Sequence, residues 1–185
     1  MKKLLTFIMA VVMSLGLAVG LTACGNKGGG GSTSGGGGGD VALALTKDTL
    51  FPGLSGTDYK TYNGTHTVGS YTITTTDVLG NTHNTFSVIQ FKKQSGVLSV
   101  TDKFSKVVIV IESSFPYESN ITAYAGGTKL ADNLKSTEDS GQKSGNYTVN
   151  YYTVEFTITG SGSQLIELKN ESGNAVYLTE INFHA

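Results

Sequence analysis

Residues 148–159 read TVNYYTVEFTIT, and their alternation decides the fold class. Tyr152, Val154, Phe156 and Ile158 fall on one side of an extended chain, while Thr153, Glu155, Thr157 and Thr159 fall on the other. A helix repeats its side chains about every 3.6 residues and would scatter both sets around its axis; a strand repeats every two and keeps them apart. Period two with polar residues between describes a strand with one face buried and one wet. Tyr151 is then expected to point away from the buried side, opposite to Tyr152.

The same signature extends outward in both directions. From about Val41, short runs rich in Thr, Val, Ile, Tyr and Phe are separated by Gly, Asn, Asp and Ser. Tyr71, Ile73 and Thr75 alternate with threonines, and Phe86, Val88 and Gln90 oppose Ser87, Ile89 and Phe91. Residues 105–112 (SKVVIVIE) are apolar on both faces, as befits a strand at the centre of a two-layer core. Residues 121–125 form a short strand ending at the turn Gly126-Gly127. Two further strands, 164–169 and 175–183, are joined by Asn170-Glu171-Ser172-Gly173-Asn174, which reads as a hairpin-like turn. No window carries a helical apolar stripe, and no internal repeat is present. Many short strands with regular turns predict an all-β domain, an antiparallel β-sandwich, over residues 40–185.

The N-terminal part differs in kind. Met1-Lys2-Lys3 is a short positive flank, an apolar run follows, and it ends in Leu21-Thr22-Ala23-Cys24-Gly25. These are the parts of a signal peptide. Leu21-Thr22-Ala23-Cys24 resembles the lipobox of bacterial lipoproteins. The resemblance implies that residues 1–23 are removed and that the Cys24 thiol is joined to diacylglycerol, anchoring the extracytoplasmic face of a cell membrane. The competing reading is an uncleaved transmembrane helix, since the run is about long enough to span. Ser14, Gly16 and Gly20, with no positive stop after the run, argue against it. Two or more acyl chains hold a protein stably where one does not, at roughly 0.8 kcal/mol for each buried methylene. Residues 24–39 then form a lipidated cysteine and a Gly/Ser-rich tether. Residues 25–39 (GNKGGGGSTSGGGGG) lack the apolar surface needed to offset the entropy of ordering. Their root-mean-square reach is about 20 Å.

Composition narrows the partners. Of 185 residues, 38% are hydrophobic and 15% charged, and every basic residue is Lys. Loss of Lys2 and Lys3 with the leader leaves 11 basic residues against 14 acidic ones, a charge near −3. Without Arg, whose planar fork suits phosphate, nucleic acid is not an expected partner. Cys24 is the only cysteine, so no disulfide framework is available.

The strand pattern from about Tyr71 to Phe183 resembles the jelly-roll domains of carbohydrate-binding modules and galactose-binding-like proteins. The resemblance is carried by residues 91–96 (FKKQSG), 104–109 (FSKVVI), 121–126 (ITAYAG) and 168–181 (LKNESGNAVYLTEI). It implies a jelly-roll sandwich and a non-catalytic binding module for a glycan or cell-wall polymer. Such a module needs exposed aromatics, and the candidates are Tyr59, Tyr62, Tyr117, Tyr147 and Tyr151; the chain has no Trp. Domains of this kind often carry a structural Ca²⁺, for which Asp132, Asn133, Glu138 and Asp139 in residues 131–145 are candidate ligands. Read alone, that segment is a solvated polar loop, because its spacing does not match an EF-hand.

Catalytic signals are absent from the sequence. His66, His83 and His184 sit in no metal-binding motif and read as solvated loop or strand-end histidines. No Gly-x-Ser-x-Gly string occurs. The expectation is a non-enzymatic domain. The alternative is a structural or protein-interaction envelope lipoprotein. A small hydrolase would require acids and a histidine to converge in one pocket.

Overall fold

The computed structural model describes residues 40–54, 62–118 and 120–185. Among these, thirteen strands and one single-turn helix are numbered in chain order, and every strand pairing is antiparallel. One sheet holds β1 (Val41–Leu45), β4 (Val78–His83), β5 (Phe86–Phe91), β7 (Lys106–Ser113), β10 (Asp132–Ser144), β11 (Tyr147–Thr157) and β13 (Val176–His184). The other holds β2 (Gly64–Val68), β3 (Tyr71–Thr76), β6 (Val97–Asp102), β8 (Thr122–Ala125), β9 (Thr128–Lys129) and β12 (Gln164–Lys169). The first runs in the order β10-β11-β7-β13-β5-β4, with β1 also on β13; the second runs β2-β3-β6-β12-β8-β9. From β5 to β8, and again from β11 to β13, each successive strand changes sheet. The chain thus wraps around its core as a jelly-roll sandwich.

The core follows from period-two alternation in both layers. Ile109, Ile111, Val154, Phe156, Ile181 and Phe183 of the first sheet meet Ile73, Leu98, Val100, Ile166 and Leu168 of the second in one buried cluster. Each such side chain contributes roughly 1.5–3 kcal/mol by leaving water. Tyr152, Val154 and Phe156 face inward as the alternation requires, and Ile158 remains buried just past the strand end. β7 lies between β11 and β13, which is why its outward Val108 and Val110 are also half-covered.

Three features differ from the sequence reading. Residues 131–145 are not a loop: β10 is a 13-residue strand along the open edge of the first sheet. It is mostly polar, with Leu134 its one large apolar side chain, and it buries none of its residues. Its ladder breaks between Leu134 and Ser136 and again between Asp139 and Gln142, and it carries Lys135, Glu138, Asp139 and Lys143. Bulges and charges of this kind keep an open edge from pairing with another chain.

Residues 170–174 are not a hairpin either, since β12 and β13 belong to different sheets. The segment crosses between layers and is held there by Asn170, which is 2% exposed. Its amide nitrogen donates to the carbonyls of Phe91, Lys92 and Asn174 at 3.2, 3.1 and 2.7 Å. The Asn170 backbone N–H donates to Gly96 O at 2.9 Å, and Gln94 N–H donates to Ser172 O at 3.1 Å. Two crossovers are thereby tied together at one end of the sandwich. Gly96 is required there, because a Cβ would stand 2.8 Å from Lys92 N and 2.9 Å from Phe91 Cα.

The third difference is α1 (Lys47–Leu50), a turn of helix with no apolar stripe to announce it. Thr46 caps it, accepting from Thr49 N–H while the Thr49 hydroxyl accepts from Thr46 N–H. Among the described residues no helix is long and apolar enough to cross a membrane.

Replacing Asn170 with Ala should strand several buried carbonyls. Urea denaturation is expected to show a loss of about 3 kcal/mol, with the midpoint falling and the slope unchanged.

Candidate functional site

Strand register builds the site. Tyr152, Ile111, Leu178 and Ile89 are paired across β11, β7, β13 and β5, and all four are buried beneath the sheet. The next residue on each inner strand must face out, so Tyr151, Glu112, Tyr177 and Gln90 form a second row on the opposite side. Glu112 is the charge that ends the apolar run of β7. Although it faces outward, its side chain is fully buried.

A buried carboxylate needs partners for both oxygens. Glu112 Oε2 lies 2.6 Å from His83 Nδ1, and Oε1 accepts from Asn84 Nδ2 at 2.8 Å. A carboxylate only accepts, so His83 donates from Nδ1. The two donors come from the last residue of β4 and the first residue of the turn that joins it to β5. Asn84 and Thr85 have φ of 45° and 77°, the two positive values that a tight type I′ hairpin requires. Asn tolerates this; β-branched Thr does not, and Thr85 stores roughly 1–3 kcal/mol of strain. The His83 ring lies flat on Tyr177, with centroids 3.7 Å apart and planes 6° from parallel. The turn, the histidine and the tyrosine thus form one wall.

This wall borders a groove of about 800 Å³ at the end of the first sheet. Its other sides are the loop after β7, the β10–β11 turn and the start of β13. On the rim stand Phe115 and Tyr147, 65% and 60% exposed, with ring centroids 5.8 Å apart and a tilt of 37°. Gly145, at φ 61°, makes the tight turn that delivers Tyr147. The Phe115 loop is pinned from below: the Tyr152 hydroxyl donates to Phe115 O at 2.9 Å, and the Tyr117 ring packs 5.8 Å from the Tyr152 ring. Asn120, Asn174 and Glu118 complete the polar lining. A shallower depression of about 380 Å³ on the second sheet is walled mainly by hydroxyls, including Thr72, Thr74, Ser99 and Thr101.

The residues singled out in the sequence are distributed unevenly. Tyr147 lines the groove. Tyr151 faces outward on the adjoining row, edge-on to Phe86 at 5.4 Å. Burial pushes its phenol pKa up, and the Glu112 charge adds to this. Tyr117 lies under the Phe115 loop with its hydroxyl donating to Asp132 Oδ2 at 2.6 Å. Tyr62 stacks on Phe51 at 4.7 Å against the core. Tyr59 and Cys24 lie outside the described residues. Asp132, Asn133, Glu138 and Asp139 are strung along extended β10, where the first and last are roughly 20 Å apart. They do not converge, and among the described residues no group of three or more His, Cys, Asp or Glu side chains could hold a metal ion.

Two histidines are held by neighbours. His66 Nε2 lies 2.9 Å from Thr75 Oγ1, and burial lowers its pKa. His83 does end a strand, but it is bound to a buried acid and not simply solvated. Sequence reasoning passed over Glu112, Tyr177, Phe115 and Glu118, and it read His83 only as a solvated loop or strand-end histidine. The available signal was Glu112 itself, a lone carboxylate closing a strand that is apolar on both faces.

The chain matches no protein-family model and no curated protein.

Truncation of Glu112 to Ala leaves His83 and Asn84 without their acceptor. It is expected to cost about 2 kcal/mol in chemical denaturation. The His83 imidazole signals in an NMR spectrum should shift as the ring leaves Tyr177.

Proposed function

We propose that the protein is a lipid-anchored, extracytoplasmic binding module whose end groove takes a glycan or cell-wall polymer without chemical turnover. The observation that carries this reading is the Phe115–Tyr147 pair. Two large aromatics are left exposed side by side at the mouth of a cavity, although burying each would have gained the fold roughly 1.5–3 kcal/mol. Exposed rings offer flat faces to the C–H side of a pyranose. The amides of Asn120 and Asn174 can serve its hydroxyls, and Tyr177 and His83 present a second stacked surface within the same groove. The lipobox-like Leu21-Thr22-Ala23-Cys24 and the Gly-rich tether support the anchored part of this reading, since a domain held in that way would be within reach of an envelope polymer.

One observation favours a hydrolytic reading: a histidine and two glutamates, His83, Glu112 and Glu118, border one groove. Against it, Glu112 already has both oxygens engaged by His83 and Asn84. It therefore acts as a fixed support for the ring and not as a free acid or base. The binding reading is preferred.

Two experiments test the parts separately. Cells fed radioactive palmitate should label the wild-type chain and leave Cys24→Ser unprocessed and unlabelled; equal behaviour of the two would remove the anchor.

For the groove, the full chain in a non-glycosidic detergent should be retained by an insoluble polysaccharide or a peptidoglycan fraction. Phe115→Ala and Tyr147→Ala should each weaken retention by about tenfold, in line with 1–2 kcal/mol for an exposed stacking ring. Absence of retention by every polymer would overturn the glycan reading. Release of new reducing ends would replace it with hydrolysis.

A further inference from the structure

The groove is lined by acidic groups and by one histidine, His83, which is already paired with Glu112. Of the side chains that line it, Glu112 and Glu118 are acidic and none is Lys, in a chain without Arg. The two glutamates are not equivalent. Glu112 is fully buried and held at both oxygens, so its charge acts only as a background field. Glu118 is exposed and has no ion-pair partner among the described residues. Four lysines are engaged elsewhere, Lys106 and Lys135 on Glu155, Lys92 on Asp77 and Lys169 on Glu167, and none of the other described lysines lines the groove. The groove is thus left acidic beside its aromatic rim.

We infer that the groove selects glycans carrying free amines, that is, de-N-acetylated amino-sugar chains, over neutral chains and against anionic ones. This rests on the glycan reading above and adds the charge class of the ligand. A sugar ring stacked on Phe115 and Tyr147 presents its equatorial substituents sideways into the lining. An ammonium there meets the Glu118 carboxylate in a charge-assisted hydrogen bond, about twice as strong as a neutral one. An acetamide at the same position still finds the amides of Asn120 and Asn174, but it brings no charge. A uronate, sulfate or phosphate meets like charge from Glu118. Polymers such as teichoic acids and uronans are thereby disfavoured.

The test uses the full chain in non-glycosidic detergent micelles at low salt, in a mildly acidic buffer where the sugar amines are charged. Titration calorimetry would compare oligomers of equal length built from glucosamine, N-acetylglucosamine and galacturonate. The expected result is about fivefold tighter binding of the amine oligomer than of the acetylated one, with no binding of the uronate. Added salt should shrink the ratio, and Glu118→Gln should bring it close to one. Equal binding of the amine and acetylated oligomers, or any preference for the uronate, would overturn the charge selection while leaving the glycan reading intact. A ratio that Glu118→Gln does not change would remove the assignment to Glu118. Failure of all three oligomers to bind would remove the glycan reading, and this inference with it.

Discussion

The pairing of β7 with β11 on one side and β13 on the other is the constraint from which the rest follows. Side chains on a strand alternate with period two, so a single step in register would exchange the two faces of the sheet. With Ile111 locked between Tyr152 and Leu178 in the core, Glu112 has no choice but to lie between Tyr151 and Tyr177 on the other side. The apolar half of this arrangement provides the driving force. The polar half is carried along by it, and a carboxylate becomes fully covered on a face that alternation would otherwise leave wet. Once Glu112 is covered, the β4–β5 hairpin has to supply donors, and the strained Thr85 conformation is the geometric cost of bringing His83 and Asn84 to both oxygens.

This division explains what was legible in the sequence. The TVNYYTVEFTIT run announced its strand, its buried face and the outward direction of Tyr151, because burial and alternation are both local to the chain. SKVVIVIE announced a central strand for the same reason. The readings that failed concerned segments whose state is decided by partners distant in sequence. β10 is polar but for Leu134 and becomes a strand only because β11 pairs along nearly its whole length. Asn170 sits in a stretch rich in turn residues, and nothing local distinguishes a hairpin from a crossover. The difference lies in carbonyls of residues 91 and 92, about eighty positions away.

The candidate site was legible to a smaller degree, and the reason is again range. Tyr147 could be named as one of five candidate tyrosines, but nothing local set it apart from Tyr59, Tyr62, Tyr117 or Tyr151. Phe115 could not be distinguished from a core aromatic, since its exposure depends on the loop being held outward. His83 and Glu112 are 29 residues apart and meet only because β4 and β7 are brought to the same sheet face through β5 and β13. Neither a second histidine nor a nucleophile motif accompanies this contact in the sequence. A more informative cue was the inconsistency of a lone charge at the end of a doubly apolar strand, which has to be satisfied by something far away.

The geometry also bears on how a ligand would be held. An exposed aromatic on a free loop loses conformational entropy when it stacks, and that loss subtracts from affinity. Phe115 avoids much of it. Its carbonyl is fixed by the hydroxyl of Tyr152, a residue otherwise buried in the core, and Pro116 restricts the backbone immediately after it. Tyr117 then packs its ring beside Tyr152 and bonds to the first residue of β10, so the loop is attached to the same hairpin that presents Tyr147. Both rim aromatics are thus tied through their backbones to one element, β11, and their ring centroids stand 5.8 Å apart. A groove meant only as a gap between loops would not need its two most exposed rings registered to the core through a single tyrosine.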